Sequence, residues 1–414
     1  MRISTQQIHT QAIASMLDSS RQVALTQQQI ASGRKFTTPA DDPVAASRIV
    51  NLNQELSLRS QYQRNIELAT SQLSLEDAVL SQANEVLQRV RELALQGANG
   101  ALTAKDRAFL GAEVETRLDE LFAIMNTRTA TGEYLFAGFK GQTQPFVRDS
   151  SNGVVFRGDE GQRRVQVSST SQVAVNDSGQ RLFMDVASTA TTFVTRAHPG
   201  NDPERNVTIG QGVVVDQVAL DAFFPDRLVV EFNPPSADHQ GRANFTVRRM
   251  SDNRVVDGLA NVVHVPGAAV EAQGMQFKLY GEPAAGDRFV IESTRTQNVV
   301  STVARLAEGL TGLSDSDKDL GTLQTLVDGT IGNLERAMDS ILTVRAEVGA
   351  RLNTADSSAL LHQDVEIITK DVLSKLRDVD YAEAVSRLNL QAFVLEAAQR
   401  SYGRISGLSL FNVI

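Results

Sequence analysis

There is no cysteine in the 414 residues. That absence excludes disulfide staples, thiol nucleophiles, iron–sulfur clusters and cysteine-based zinc sites together. Histidine is scarce as well, with His9, His198, His239, His264 and His362 all far apart in sequence. No run reaches the roughly 18 apolar residues that a membrane-spanning helix needs. The opening Met1-Arg2-Ile3-Ser4-Thr5-Gln6-Gln7 lacks the apolar stretch of a cleaved leader. A soluble chain is therefore expected, either cytosolic or exported by a route that uses no cleaved leader. Positive charge is in deficit too: the net charge is −9, which argues against a broad phosphate-binding surface.

What is present is a globular composition, 42% hydrophobic and 21% charged, in a chain long enough for two or three domains. Its distribution is uneven. Eight of the ten prolines, twelve of the seventeen phenylalanines and fifteen of the twenty-eight glycines fall between Phe136 and Phe289. Proline is absent from Val44 to Gln144 and from Ala284 to the end, which leaves both flanks free to form long helices. The fold class expected is α+β, with long antiparallel helical arms from both termini and a central β-rich insert. No βαβ alternation or short-period repeat appears, which argues against a nucleotide-binding α/β enzyme.

Periodicity supports the arms. Ile66, Ala69, Leu73, Leu80, Ala83, Leu87 and Val90 follow a 3–4 spacing that only Glu76 interrupts. This helix, traced back to Val44, should stop near Gly97-Ala98-Asn99-Gly100, and Thr103 with Asp106 reads as a capping box opening the next one. In the return arm, Leu320, Leu323, Val327, Ile331, Leu334, Met338, Ile341, Val348 and Leu352 keep the same spacing, with Arg345 the one lapse. A last helix should start at Asp380, with Glu383 as its capping partner. The first helix has a weaker seam, Ile13, Met16, Ser20, Val23, Gln27 and Ile30, with two polar positions. An isolated helix of that kind is marginal in water. Either residues 1–33 order against neighbouring subunits, or they dock on their own C-terminal partner.

In the insert, Phe146-Val147-Arg148 and Val154-Val155-Phe156 flank Ser150-Ser151-Asn152-Gly153, a hairpin signal. Val165 to Val175 alternates as a strand, and Asp177-Ser178-Gly179 turns the chain into Gln180-Arg181-Leu182-Phe183. Further strands are expected at 228–232, 245–250, 276–280 and 288–292. The stretch 198–203 reads as a turn or as a boundary between two β subdomains. The expected domains are 1–35 with 380–414, 36–140 with 295–379, and 141–294, the last with a candidate division near 188–203.

The motifs of the common catalytic and phosphate-binding sites are missing. Two histidines four apart around a glutamate are missing, as are glycines followed by Lys-Ser or Lys-Thr. Gly210-Gln211-Gly212 reads as a turn. Asp41-Asp42, followed by Pro43, reads as a rigid linker and helix start rather than a metal site. Glu366 and Asp371 read as solvated helix charges, and Arg163-Arg164 and Arg248-Arg249 as surface charge. His198, His239 and His264 have no obvious acidic partners. No catalytic, cofactor-binding or metal site is expected.

Ser32-Gly33-Arg34-Lys35 followed by Asp41-Asp42-Pro43-Val44-Ala45-Ala46-Ser47 resembles the N-terminal signature of the bacterial flagellin superfamily. The run Arg91-Glu92-Leu93-Ala94-Leu95-Gln96-Gly97 fits the same family, as does Val379-Asp380-Tyr381-Ala382-Glu383-Ala384. Three details resemble its hook–filament junction members more than its filament subunits. They are the Met1-Arg2-Ile3-Ser4-Thr5 opening, the Tyr134-Leu135-Phe136-Ala137-Gly138 run leading to Thr143-Gln144-Pro145-Phe146, and the Ser409 to Ile414 ending. The resemblance covers about residues 1–150 and 285–414. It implies a non-enzymatic structural component of the flagellum, exported unfolded through the flagellar type III system without a cleaved leader. The implied partners are hook-associated protein 1, flagellin, copies of the chain in a ring, and a flagellar export chaperone. Neither nucleic acid nor membrane insertion is implied, and lack of cysteine fits a chain that threads a channel. The terminal helices would fold on assembly, burying Ile13, Met16, Val23, Ile30, Val385, Leu388 and Leu395 between subunits. The alternatives are a divergent flagellin that forms filament itself, or an axial scaffold displaying a carbohydrate- or surface-binding β module. Exposed aromatic clusters in the insert would favour the last.

Overall fold

The computed structural model describes residues 5–148, 154–202, 207–234 and 241–407. The expected turn at Ser150 to Gly153, Pro203, His239 and the signature ends before Thr5 and after Gly407 lie outside them. Seven α-helices are found among the described residues: Thr5–Ser32 (α1), Pro43–Gly97 (α2), Ala104–Met125 (α3), Gln217–Phe223 (α4), Val299–Gly312 (α5), Asp317–Arg377 (α6) and Tyr381–Gly407 (α7). The chain divides into a terminal unit, 1–64 with 357–414, and a larger unit, 65–356. Both α2 and α6 contribute residues to each.

In the larger unit, the apolar seam of α2 is covered along its whole length: Ile66, Leu73, Leu80, Leu87 and Val90 are all buried. Each such side chain contributes about 1.5–3 kcal/mol relative to exposure. Ion pairs Arg345–Asp77 at 2.8 Å and Arg91–Glu335 at 3.0 Å show α2 and α6 running antiparallel. Arg345, a lapse in the pattern, is thus the bridging residue. The cap of α3 forms as expected: Asp106 N–H donates to Thr103 Oγ1, and Thr103 N–H donates to Asp106 Oδ2.

One helix escaped the sequence reading. In α5, eleven of fourteen residues are buried, and Asn298 caps its start by accepting from the Val300 and Ser301 N–H groups. Its close approach to α2 and α3 requires glycine: a Cβ at Gly97 or Gly111 would come within 2.5 or 2.6 Å of Leu310 and Thr311 side-chain atoms. Buried Arg107 of α3 closes the other end, donating to the Leu313 and Ser314 carbonyls at 3.1 Å and pairing with Asp315. Orphan carbonyls at a helix C-terminus are satisfied in this way.

The β region is antiparallel. The strands are Phe146–Arg148 (β1), Val154–Phe156 (β2), Arg164–Gln166 (β3), Gln172–Ala174 (β4), Val186–Ala197 (β5), Thr208–Ile209 (β6), Val213–Val214 (β7), Arg227–Asn233 (β8), Asn244–Arg249 (β9), Val262–Val263 (β10), Ala269–Ala272 (β11), Met275–Tyr280 (β12) and Arg288–Gln297 (β13). One sheet has the order β10-β9-β8-β13-β5, and another has β11-β12-β6 with β7 also paired to β12. Apolar faces from both sheets share one cluster, including Phe193, Phe232, Phe245, Phe277 and Phe289. Among the described residues of 141–294, Tyr280 is the one exposed phenylalanine or tyrosine.

Two expectations need correction. The alternating run 165–175 is not one strand but the hairpin β3–β4, because Ser168 Oγ accepts the Thr170 and Ser171 N–H groups and turns the chain. Gln180 to Phe183 lie in a π-helical turn, Gln180–Met184, which buries both Leu182 and Phe183. The 12-residue β5 was not foreseen, since its run of threonines hides the alternation.

Candidate functional site

The signature residues at the two ends of the sequence meet in the terminal unit. The linker after α1 lies antiparallel to the linker between α6 and α7: Lys35 N–H donates to Arg377 O at 2.8 Å, and Val379 N–H donates to Gly33 O at 3.0 Å. Lys35 Nζ also reaches Lys375 O. Gly33 sits at φ +69°, and a Cβ there would lie 3.0 Å from the Tyr381 hydroxyl. Glycine is therefore required both by the left-handed backbone and by tyrosine packing. Asp380 accepts from the Ala382 and Glu383 N–H groups and starts α7.

The acidic linker residues are spent on the backbone. Asp41 Oδ2 accepts from the Thr37 and Thr38 N–H groups, and Asp42 Oδ1 accepts from Ala45 N–H at the start of α2, whose first residue is Pro43. Hydrogen bonds from Thr38, then Thr37, hold the Asp41 carboxyl below its ordinary range. The guanidinium of Arg377, hydrogen-bonded to Asp378, does the same there. Ser32 Oγ accepts from Arg34 N–H at 3.3 Å. Among the described residues, no three His, Asp or Glu side chains gather as a metal site. Glu366 and Asp371 form exposed i,i+4 pairs with Lys370 and Lys375. The signature residues Arg91, Glu92 and Leu93 belong to the larger unit: Arg91 pairs with Glu335, Glu92 with Arg89, and Leu93 is buried.

Beyond the linkers, α1 and α7 form an antiparallel pair. Three contacts fix its register: His9 with Tyr402 (3.2 Å, rings edge to face), Thr26 Oγ1 donating to Gln391 Oε1 at 2.7 Å, and Arg387 donating to Gln29 at 3.1 Å. The covered positions run 12, 16, 19, 23, 26, 30 on α1 and 384, 388, 391, 395, 398, 402 on α7. Alternating steps of three and four make this a coiled-coil seam. It differs from the expected one by a single residue at alternate positions. Met16, Val23, Ile30, Leu388 and Leu395 lie on it, facing the helix of their own chain. Ile13 and Val385 do not; they are 45% and 44% exposed. The places expected for them hold Ala12 and Ala384. Ser19, Thr26 and Gln391 also sit on the seam, so polarity blurred its phase in the sequence.

The consequence is a reversed apolar distribution. Small and polar residues fill much of the internal seam, while Leu17, Leu25, Leu390, Phe393 and Val394 point outward, Phe393 being 69% exposed. In α6, Leu360, Leu361, Ile367 and Ile368 are likewise exposed. Large exposed apolar patches are a feature of interaction surfaces. No helix among the described residues is long and apolar enough to cross a membrane.

Residues 3–141 match the family model described as bacterial flagellin N-terminal helical region. Over 413 residues, the chain is 25% identical to flagellar hook-associated protein 3 of Escherichia coli strain K12, covering 100% of this chain and 99% of the relative. A flagellin of Clostridium tyrobutyricum is 21% identical over 94% of each chain. Among solved structures, a flagellar hook-associated protein 3 from Legionella pneumophila is similar with a TM-score of 0.53 and 29% identity, covering 79% of this chain and 98% of that one. A structure described as the flagellar junction protein FlgL, from the same organism, is similar with a TM-score of 0.51 and 29% identity over 80% and 99%. From end to end, then, this chain resembles flagellar hook-associated protein 3, a structural component of the flagellum related to the flagellins.

Proposed function

We propose that this chain joins the hook of a bacterial flagellum to its filament, as a ring of copies between hook-associated protein 1 and the first flagellin subunits. The observation that carries this reading is the outward apolar face of α1, α6 and α7 in a chain whose full-length relatives are hook-associated proteins. A monomer that turns Leu17, Leu390 and Phe393 to water while packing Ala12, Ser19 and Ala398 inside is arranged for lateral partners. Burying such side chains between copies supplies the driving force, at about 25 cal/mol per Å² of apolar surface removed from water. The terminal helices order fully only on docking, which confines polymerisation to the growing tip. Export in the unfolded state through the flagellar type III system, with a chaperone holding the C-terminal helix, delivers the protein to the outside of the cell. The insert acts as an outer spacer; its inward-turned aromatic rings favour that over a sugar-binding surface.

The experiment is a strain deleted for this gene. Hooks are imaged by electron microscopy, and flagellin in the medium is measured by blot. Hooks without filaments, with flagellin shed into the medium, are expected. Intact filaments would refute the junction role, and loss of both filament and shed flagellin would identify the chain as the filament subunit. Complementation with Phe393→Asp separates assembly from export: the variant should appear in the medium yet support no filaments.

A further inference from the structure

The one residue that interrupts the α2 seam, Glu76, is completely buried. Its Oε1 accepts the Asp177 N–H at 3.0 Å, tying the loop before the π-helical turn to α2. Its Oε2 is buried and has no hydrogen-bond partner. A carboxylate left in that condition is costly, whereas a carboxylic acid is not.

The charged groups around it can be followed element by element. From the loop, Asp177 takes a two-pronged ion pair from Arg351 of α6, at 2.7 Å and 3.2 Å. Glu347 of α6 pairs with both Arg351 and Arg181 of the π-helical turn. Arg163, next to β3, is taken by Glu133. Asp77, the next residue of α2, is taken by Arg345. Four guanidiniums thus meet four carboxylates, and every one is paired. Glu76 is the fifth carboxyl: the Arg351 and Arg163 charges favour its ionised form, but both guanidiniums are bonded to other carboxylates, and their pull is smaller than the push from burial and Asp177. A fixed charge there would also face Asp177 directly.

We propose that Glu76 is a proton-dependent latch: the larger unit closes α2, the 175–179 loop and α6 around a protonated Glu76, and loses that closure when the proton leaves. Burial, and after it the Asp177 charge, push this carboxyl up to about 8. The ordinary value is near 4.5. The folded chain therefore binds a proton that the unfolded chain has released across the interval between these values. Stability is full below the lower value and falls as pH rises towards the upper one. The folding equilibrium constant changes about tenfold per pH unit inside the interval for a single linked proton. Refolding near neutral pH accordingly takes up one proton at this position.

Two measurements on the full chain test the latch. Carbon-13 carboxyl NMR, with Glu76 assigned through its own backbone, follows its protonation in the wild type. A resonance titrating far above the ordinary glutamate range is expected, and one titrating within that range would overturn the proposal. Urea unfolding of wild type and Glu76→Gln at about pH 6 and about pH 8 reads the linkage. The wild-type folding constant should fall about fiftyfold relative to the variant over that interval, because glutamine keeps the acceptor for Asp177 N–H and cannot ionise. Equal losses in the two proteins would also overturn it. Should the variant fail to fold, the wild-type titration alone decides.

Discussion

The terminal unit and the larger unit use the same helical periodicity to opposite ends. In the larger unit the seam residues of α2 are sealed, and two sheets close over a phenylalanine-rich cluster. Among the described residues of the terminal unit, the buried apolar ones are only Ala45, Leu373 and Ala384. Sixteen of the twenty-seven exposed large apolar side chains among the described residues belong to this smaller unit. One unit seals its apolar residues within the chain, and the other leaves most of its large apolar side chains exposed. A heptad pattern therefore identifies a seam without saying whether the chain itself or its neighbours will cover the remaining faces.

The comparison is broken most directly by truncating one large side chain in each unit. Phe289→Ala should cost about 3–5 kcal/mol in urea unfolding of the larger unit. Leu390→Ala should change the isolated chain by no more than about 0.5 kcal/mol, yet impair attachment of filament. Equal costs in the monomer would mean that the outward face is already covered. Next in size is Gly33→Ala, expected to cost about 1–2 kcal/mol because alanine must adopt φ near +69°. The readout is exchange protection of the Val379 amide, which donates to Gly33 O. Tyr381→Phe should recover part of the loss if hydroxyl contact contributes, and none if the backbone alone does.

The arms were legible because long apolar repeats leave few alternatives. The boundaries of α2, the α3 cap and the start of α7 came from proline, glycine and capping residues whose effects are local. The phase of the α1–α7 seam was not legible. With Ser19, Ser20, Thr26 and Gln27 all polar, sliding alternate positions by one residue changes the pattern little, and the contacts with α7, from His9, Thr26 and Gln29, select it. Helix α5 was missed for a different reason: it is short, it opens on the β-branched run Val299-Val300-Ser301-Thr302-Val303 directly after a strand, and it buries polar Ser301, Thr302 and Arg305 beside its apolar residues. Glu76 and Arg345 registered only as lapses in the repeats. Their partners, Asp177 and Asp77, come from another segment and another helix, and the fold alone brings them together. The signature residues at either end were visible as a resemblance. That Gly33 and Tyr381 touch was not, because 348 positions separate them.

The smallest expected effect tests why the internal seam of α1 and α7 is polar. Thr26 is almost fully buried, and its hydroxyl is shared between Gln391 Oε1 and the Gln22 carbonyl. Removing one partner, in Thr26→Val, strands the Gln391 amide and should cost about 0.5–1.5 kcal/mol. Removing both, in Thr26→Val with Gln391→Leu, should be neutral or stabilising by less than about 1 kcal/mol, since an apolar pair replaces a desolvated one. The double variant then separates two roles for the polar seam. If it only stabilises the pair, the double variant assembles like the wild type and its α1 amides exchange no faster. If the polar contact fixes register, as a buried polar residue does in other coiled coils, the helices stay paired but slip. Slippage would appear as loss of the His9–Tyr402 contact, and the outward apolar residues would no longer meet their partners in line. Filament attachment should then fail in a protein whose monomer is as stable as before.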